Sequence, residues 1–159
     1  MSDIIKCPKC HENVEINKLI PYENNAKVHP EEQVQQIANS IKEFGFINPV
    51  LIDSDYGIIA GHGRVLGATK LGMSEVPCLF VEDLKKKKKR AYIIADNKLT
   101  ENAEWDFEIL RSELTALNDL DFDISLTGFT LEDIQIEEPQ EIIEDDFESE
   151  FSILTKPTE

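Results

Sequence analysis

Along PEEQVQQIANSIKEFG, residues 30–45, apolar side chains fall at Val34, Ile37, Ala38, Ile41 and Phe44. These three- and four-residue steps place them on one face of a helix. Pro30 suits its first turn, Glu31 and Glu32 suit the positive end of the helix dipole, and Gly45 is a natural stop. Before it, residues 14–20 alternate apolar and polar, predicting a strand, and PYENNAKVHP reads as a loop. After it, residues 48–52 and 57–60 read as two strands joined by the turn DSDYG, a hairpin. A short helix is expected from about residue 64 to 71, closed by Gly72, followed by a strand over 76–81 with Cys78 a small buried residue. The next helix should start near Glu82 or Asp83 and carry Ile93, Ile94 and Leu99. A further helix, with Asp106 as its N-cap, offers Phe107, Leu110, Leu114 and Leu117 as a core face. Trp105 and Phe107 are expected in the core, since no basic residues interleave them as in a base-stacking platform. LDFDISLTGF reads as extended, and Thr130 as the cap of a last turn, LEDI.

Composition adds a boundary. Residues 1–100 hold 14 basic and 13 acidic side chains, whereas residues 101–159 hold 2 basic and 19 acidic. The net charge of −16 therefore belongs to the C-terminal part, and a local basic face in the rest remains compatible with DNA. From residue 132 the chain is mostly acid with scattered Ile and Phe, a linker or tail composition able to dock on a partner. The expected division is an N-terminal CxxC segment (1–13), a domain (14–131) and an acidic linker or tail (132–159). No apolar run is long enough to span a membrane and no secretory signal is visible, so a cytoplasmic location is expected.

Cys7 and Cys10 form one CxxC, half the ligand set of a tetrahedral Zn²⁺ site. His29, Cys78 or a second chain would have to complete it; otherwise the motif is unmetallated. Residues 85–90, KKKKKR, wrap more than once round a helix, so they cannot all face one ligand. Two readings stand: a solvated face or partner for the acidic tail, and a contact for a nucleic-acid backbone.

The chemistry concentrates at Gly61-His62-Gly63-Arg64, where a predicted strand runs into a helix. First-turn amides lack intrahelical partners and sit at the positive end of the dipole, which suits phosphate. Gly61 and Gly63 let the backbone approach, Arg64 supplies a fork of donors, and His62 is a donor or an acid–base group.

SIKEFGFINPV, then IIAGHGR, then IADNKL, in that order and spacing, resemble the N-terminal domain of ParB proteins, whose fold is shared with sulfiredoxin. The resemblance covers about residues 14–102. It extends through AEWDFEILRSELTALNDLDFDISLTGF in a branch found in phage and mobile elements, often in front of a DNA methyltransferase. It implies an α+β (mixed α/β) domain, a small mixed sheet surrounded by helices. It also implies site residues. Asn25-Ala26-Lys27 lies where the family has Asn-Pro-Arg, with Lys27 in place of the arginine. The phosphate loop Gly-Glu-Arg-Arg is here Gly61-His62-Gly63-Arg64, matching only at its ends. Asp96-Asn97 stands for the family's Glu-Asn beside the phosphates and a Mg²⁺ ion, and Thr100 falls where an arginine would be. His62 occupies the place of the sulfiredoxin cysteine, which argues against that chemistry.

Three function classes follow. The first is a module binding DNA phosphate or a nucleotide, CTP or ATP with Mg²⁺, in DNA modification or partition of a phage or mobile element. The chain would then be part of, or partner to, a methyltransferase, and an oligomer is open. The second is a metal-assisted nuclease or nucleotide hydrolase, with Asp96 and Asn97 at Mg²⁺ and His62 as general base. The third is a protein-interaction or DNA-mimic role of the acidic region. No methyltransferase motif lies within these 159 residues.

Overall fold

The computed structural model describes residues 11–134. Four strands, β1 (His11–Glu15), β2 (Val50–Ile52), β3 (Ile58–Ala60) and β4 (Glu75–Phe80), form one sheet in the order β1-β4-β2-β3. β2 and β3 are the antiparallel hairpin expected from the sequence. β4 runs parallel to β2, and β1 closes the far edge antiparallel to β4. The helices are α1 (Glu31–Phe44), α2 (His62–Lys70), α3 (Lys86–Glu101), α4 (Phe107–Asp119) and the single turn α5 (Leu131–Ile134). The result is the mixed α+β class.

The main core joins sheet and α2: Val14, Leu19, Val50, Ile52, Ile58, Val65, Ala68, Val76 and Cys78 are all buried. α1 turns Val34 and Ala38 inward and crosses α2 closely. The crossing depends on Gly67, where a Cβ would stand 2.9 Å from the Ile37 side chain and 3.2 Å from the Ala38 backbone nitrogen. β3 is buried at all three positions. Successive side chains alternate across a strand, so Ile58 joins the main core while Ile59 faces the side where α3 lies.

Several elements depart from the sequence expectation. The first strand ends at Glu15, because Ile16 N–H bonds the Ser74 carbonyl and Leu19 N–H closes a 3-10 turn on Ile16. The alternation persists across this turn because Val14 and Leu19 both enter the core. α2 starts at His62, two residues earlier than expected. α3 starts at Lys86 rather than Glu82 or Asp83, since Val81 N–H still bonds the Ile52 carbonyl and prolongs the sheet ladder. LDFDISLTGF is not extended: residues Ile124–Thr127 form a 3-10 turn. The Asp123 carboxylate accepts from the Ser125 N–H and O–H, and Gly128 ends the turn at φ 87°. Asp106 caps α4 as expected, whereas at α5 the Asp133 carboxylate reaches back to accept from the Thr130 N–H and hydroxyl, and only the Thr130 backbone carbonyl takes a helix N–H, that of Asp133.

The α4 core face is narrower than its spacing suggests. Leu114 is buried, but Phe107 is 56% exposed and Trp105 61% exposed, so both lie outside the core. Trp105 instead meets Phe129 edge-on at 5.3 Å, at the surface. The apolar period is genuine, but α4 packs mainly on the 3-10 turn and α5, which are too small to cover it. Phe44 stacked on Phe122 at 6.1 Å helps hold this C-terminal block to α1.

One member of the cationic run is structural. Lys89 points back and donates to Asp53 at 2.6 Å, both side chains half-buried, while the other five cations are exposed. Asp53 also accepts from the N–H groups of Gly57 and Asp55, which shapes the hairpin turn. Burial pushes the Asp53 carboxyl up, but Lys89 and the two backbone donors outweigh it and leave its pKa below the usual range. A depressed carboxyl stabilises the fold above its unfolded pKa of about 3.9, and that stability is lost as pH falls through the lower folded value. Asp53→Asn is therefore expected to flatten the fall in stability below about pH 4 in urea titrations; an unchanged acid limb would deny Asp53 that role.

Among the described residues no helix is long and apolar enough to cross a membrane. Cys7 and Cys10 lie outside the described residues. Cys78 is fully buried, and burial pushes its thiol up to about 11, which opposes the thiolate that Zn²⁺ needs.

Candidate functional site

The strand-to-helix joint is built on Gly61. It sits at φ 107°, a left-handed conformation that side chains disfavour, and N-caps α2 without any side-chain capping bond. Its carbonyl takes the Val65 N–H, so the first-turn amides of α2 begin immediately after it. Arg64 folds back over Gly61, where a Cβ would stand 3.0 Å from a guanidinium nitrogen. One guanidinium N–H donates to the Pro49 carbonyl at 3.1 Å, which ties α2 to the start of β2. Arg64 Nε is buried and has no protein partner. Burial lowers the guanidinium's pKa and nearby Asp96 opposes the shift. It remains a cation with an unspent donor.

This joint forms one wall of a cavity of about 370 Å³. The loop before α1 supplies Asn25, Lys27 and His29, α1 supplies Gln33 and Ile37, and α3 supplies Asp96, Asn97, Thr100 and Glu101. The phosphate-site residues singled out in the sequence, Asn25, Lys27, Gly61, His62, Gly63, Arg64, Asp96 and Asn97, thus line one cavity although they come from three separate stretches of chain.

Each side chain has a defined local role. Asn25 Oδ1 accepts from the Lys27 N–H and shapes the loop. His62 Nε2 accepts from the Tyr22 N–H at 3.2 Å. That bond assigns the proton to Nδ1, and burial, together with the neighbouring His29, lowers the His62 pKa. A neutral imidazole whose free nitrogen already accepts a backbone proton is suited to donate from Nδ1, and poorly suited to act as a general base. His29 contacts Gln33 Oε1 through Nδ1 at 2.9 Å and lies over Gly63, where a Cβ would meet its ring at 3.0 Å. Gly63 therefore leaves the room that His29 fills.

On α3, the Tyr92 hydroxyl donates to Asp96 at 3.2 Å and Asn97 Nδ2 donates to the Ile93 carbonyl. Lys27 pairs with Glu101, and the hydrogen bond from Lys27 holds that carboxyl below its usual range. Gln33 and Glu101 were not singled out in the sequence. Glu101 follows Asn97 by four residues, the spacing that puts two helical side chains on one face, so it was findable once α3 was placed. Gln33 follows His29 by four but across a helix start, where spacing carries little information.

Among the described residues no three His, Cys, Asp or Glu side chains converge as a metal site. Asp96 is a single carboxylate with an amide beside it. Mg²⁺ commonly keeps its waters and binds through one or two carboxylates plus substrate phosphates, so these residues fit a Mg²⁺ ion that arrives with phosphates and do not form a protein cage.

A family model described as the ParB N-terminal domain matches residues 7–98, more than half of the chain. The chain belongs to the ParB N-terminal domain family. The ParB-like nuclease domain-containing protein YnaK of Escherichia coli K12 is 48% identical over 75 residues, covering 47% of this chain and 86% of YnaK. A probable chromosome-partitioning protein ParB of Campylobacter jejuni is 31% identical over 93 residues, 56% of this chain but only 33% of that protein. Among solved structures, the C-terminally truncated ParB of Caulobacter crescentus, complexed with CTP-gamma-S, shares the fold with a TM-score of 0.64 at 21% identity. That likeness covers 78% of this chain and 74% of that one. A second model, the ParB-methyltransferase HTH domain, matches residues 108–152, which span nearly all of α4 and continue past the described residues.

Proposed function

We propose that this ParB N-terminal domain binds a nucleoside triphosphate, CTP or ATP, through its phosphates at the cradle of residues 61–64. The module would serve DNA modification or partition in a phage or mobile element. The observation that carries the reading is the convergence on one cavity of the Gly61-capped helix start, Arg64 with its unpartnered Nε, and Asp96-Asn97 of α3. Phosphate oxygens would accept from the first-turn amides, from Arg64 and from His62 Nδ1. Mg²⁺, carried in by the nucleotide, would neutralise phosphate beside Asp96. The Caulobacter protein's CTP-gamma-S agrees with this ligand class, although at 21% identity the proposal rests on the cavity.

The match to a ParB-methyltransferase HTH domain favours a setting in DNA modification, with a methyltransferase as partner or continuation of the chain. YnaK's description as a ParB-like nuclease domain protein keeps hydrolysis in view. Against turnover stand the Tyr22 N–H on His62 Nε2 and the pairing of Glu101, the cavity's other carboxylate besides Asp96, with Lys27.

Calorimetry with CTP, ATP and a short DNA duplex, each with and without Mg²⁺, tests the reading. Saturable binding of a triphosphate, strengthened by Mg²⁺ and without product formation, is expected. Absence of heat with both nucleotides would end the cradle reading, and steady release of diphosphate or cut DNA would turn it towards the enzyme.

A further inference from the structure

The cavity that would take phosphates is already occupied at one side by the chain's own anion. Glu101, the last residue of α3, pairs with Lys27 from the loop before α1 and lies 3.6 Å from Lys98. Lys27 and Arg64 are the two formal cations lining the cavity, and Asp96 and Glu101 its two formal anions. These four formal charges sum to zero, an odd balance for a site that would hold several negative charges. Arg64 retains an unpartnered donor, whereas the ammonium of Lys27 is engaged by a carboxylate. A carboxylate presents two oxygens to an ammonium much as one edge of a phosphate does.

We infer that Glu101 is an internal competitor for the phosphate position on Lys27, and so a specificity-determining residue of the cavity. The inference rests on the nucleotide reading above. Ligand entry exchanges the Glu101 carboxylate on Lys27 for a phosphate of the ligand. The displaced carboxylate is not stranded, because Lys98 is within 3.6 Å and the side chain is about half exposed. Only a ligand that also engages Arg64 and the first-turn amides recovers more than it displaces, so the pair holds the site closed to weakly charged anions. It also ties the C-terminal end of α3 to the loop 21–30, so occupancy of the cavity and the tether of α3 exclude each other.

The test is Mg²⁺–CTP calorimetry on wild type, Glu101→Gln, Lys27→Met and the double variant, with melting temperatures to confirm folding. Glu101→Gln removes the competing charge and keeps the side chain's size. It is expected to bind about two- to fivefold tighter, the scale of an exposed ion pair. Lys27→Met should weaken binding, and Glu101→Gln should add nothing in that background, a coupling that a merely structural role for Glu101 would not produce. If wild type binds and Glu101→Gln binds equally or more weakly, the inference is wrong and Glu101 is a ligand contact or a bystander. If no variant binds nucleotide, the nucleotide reading itself fails.

Discussion

Arg64→Ala is expected to lower the proposed CTP affinity by about 1.5–3 kcal/mol, the range for a hydrogen bond to a charged group, or roughly tenfold to more than a hundredfold. Arg64 is the one cavity cation with an orphaned donor, and the missing Cβ of Gly61 leaves room for its guanidinium to fold over the helix start. The variant also removes the link to the Pro49 carbonyl, so a small loss of stability accompanies the loss of binding. Arg64→Lys separates the two: it keeps the charge but not the planar fork, and should recover only part of the affinity. Equal affinities for wild type and Arg64→Ala would show that the ligand, if one binds, uses another surface.

Gly67→Leu is expected to destabilise the fold by about 1–3 kcal/mol through overpacking. Glycine inside a helix is intrinsically poor, costing about 1 kcal/mol against alanine, so its use in α2 needs a reason. The reason is the α1–α2 crossing, where even a Cβ meets Ile37 at 2.9 Å and the Ala38 backbone at 3.2 Å. A leucine must push α1 away, and α1 is rooted beside His29 and Gln33, which line the cavity. The expected result is a lower melting temperature together with weaker CTP binding. An unchanged melting temperature would mean that the two helices do not pack this closely.

The N-terminal two-thirds was legible because its patterns are local and reinforce one another. α1 combines an apolar face, acidic first-turn residues and a terminating Gly45 at φ 85°, and its observed bounds agree with the spacing. The hairpin was readable from two short apolar runs around DSDYG, and its turn is held by Asp53 as such a sequence suggests. The cavity residues were legible only through their order along the chain, since spacing alone cannot bring residues 25–27, 61–64 and 96–97 together. What failed was the burial of Trp105 and Phe107. Periodicity reports that a helix has an apolar face, but how much of that face is covered depends on the area of the elements packed against it. The 3-10 turn at Ile124–Thr127 was missed because side-chain capping by Asp123 overrode an alternating pattern. Lys89 shows the same limit in the charged run: composition makes the six cations equivalent, and only the fold picks one to meet Asp53.

The role of His62 illustrates what geometry adds to a motif. In the sequence it was a donor or a base, both available to any imidazole. The Tyr22 N–H on Nε2 occupies the lone pair and leaves Nδ1–H as the donor that a ligand could use. An imidazole so placed serves binding better than hydrolysis.

In the proposed function, nucleotide phosphates occupy the cradle at the start of α2. Backbone amide shifts of the ¹⁵N-labelled protein during titration with Mg²⁺–CTP test it most directly, since they report each N–H of the cradle separately. The largest movements are expected on His62, Gly63, Arg64 and Asn97. Shifts confined to the exposed lysines at the start of α3, or no shifts at all at saturating nucleotide, would contradict it.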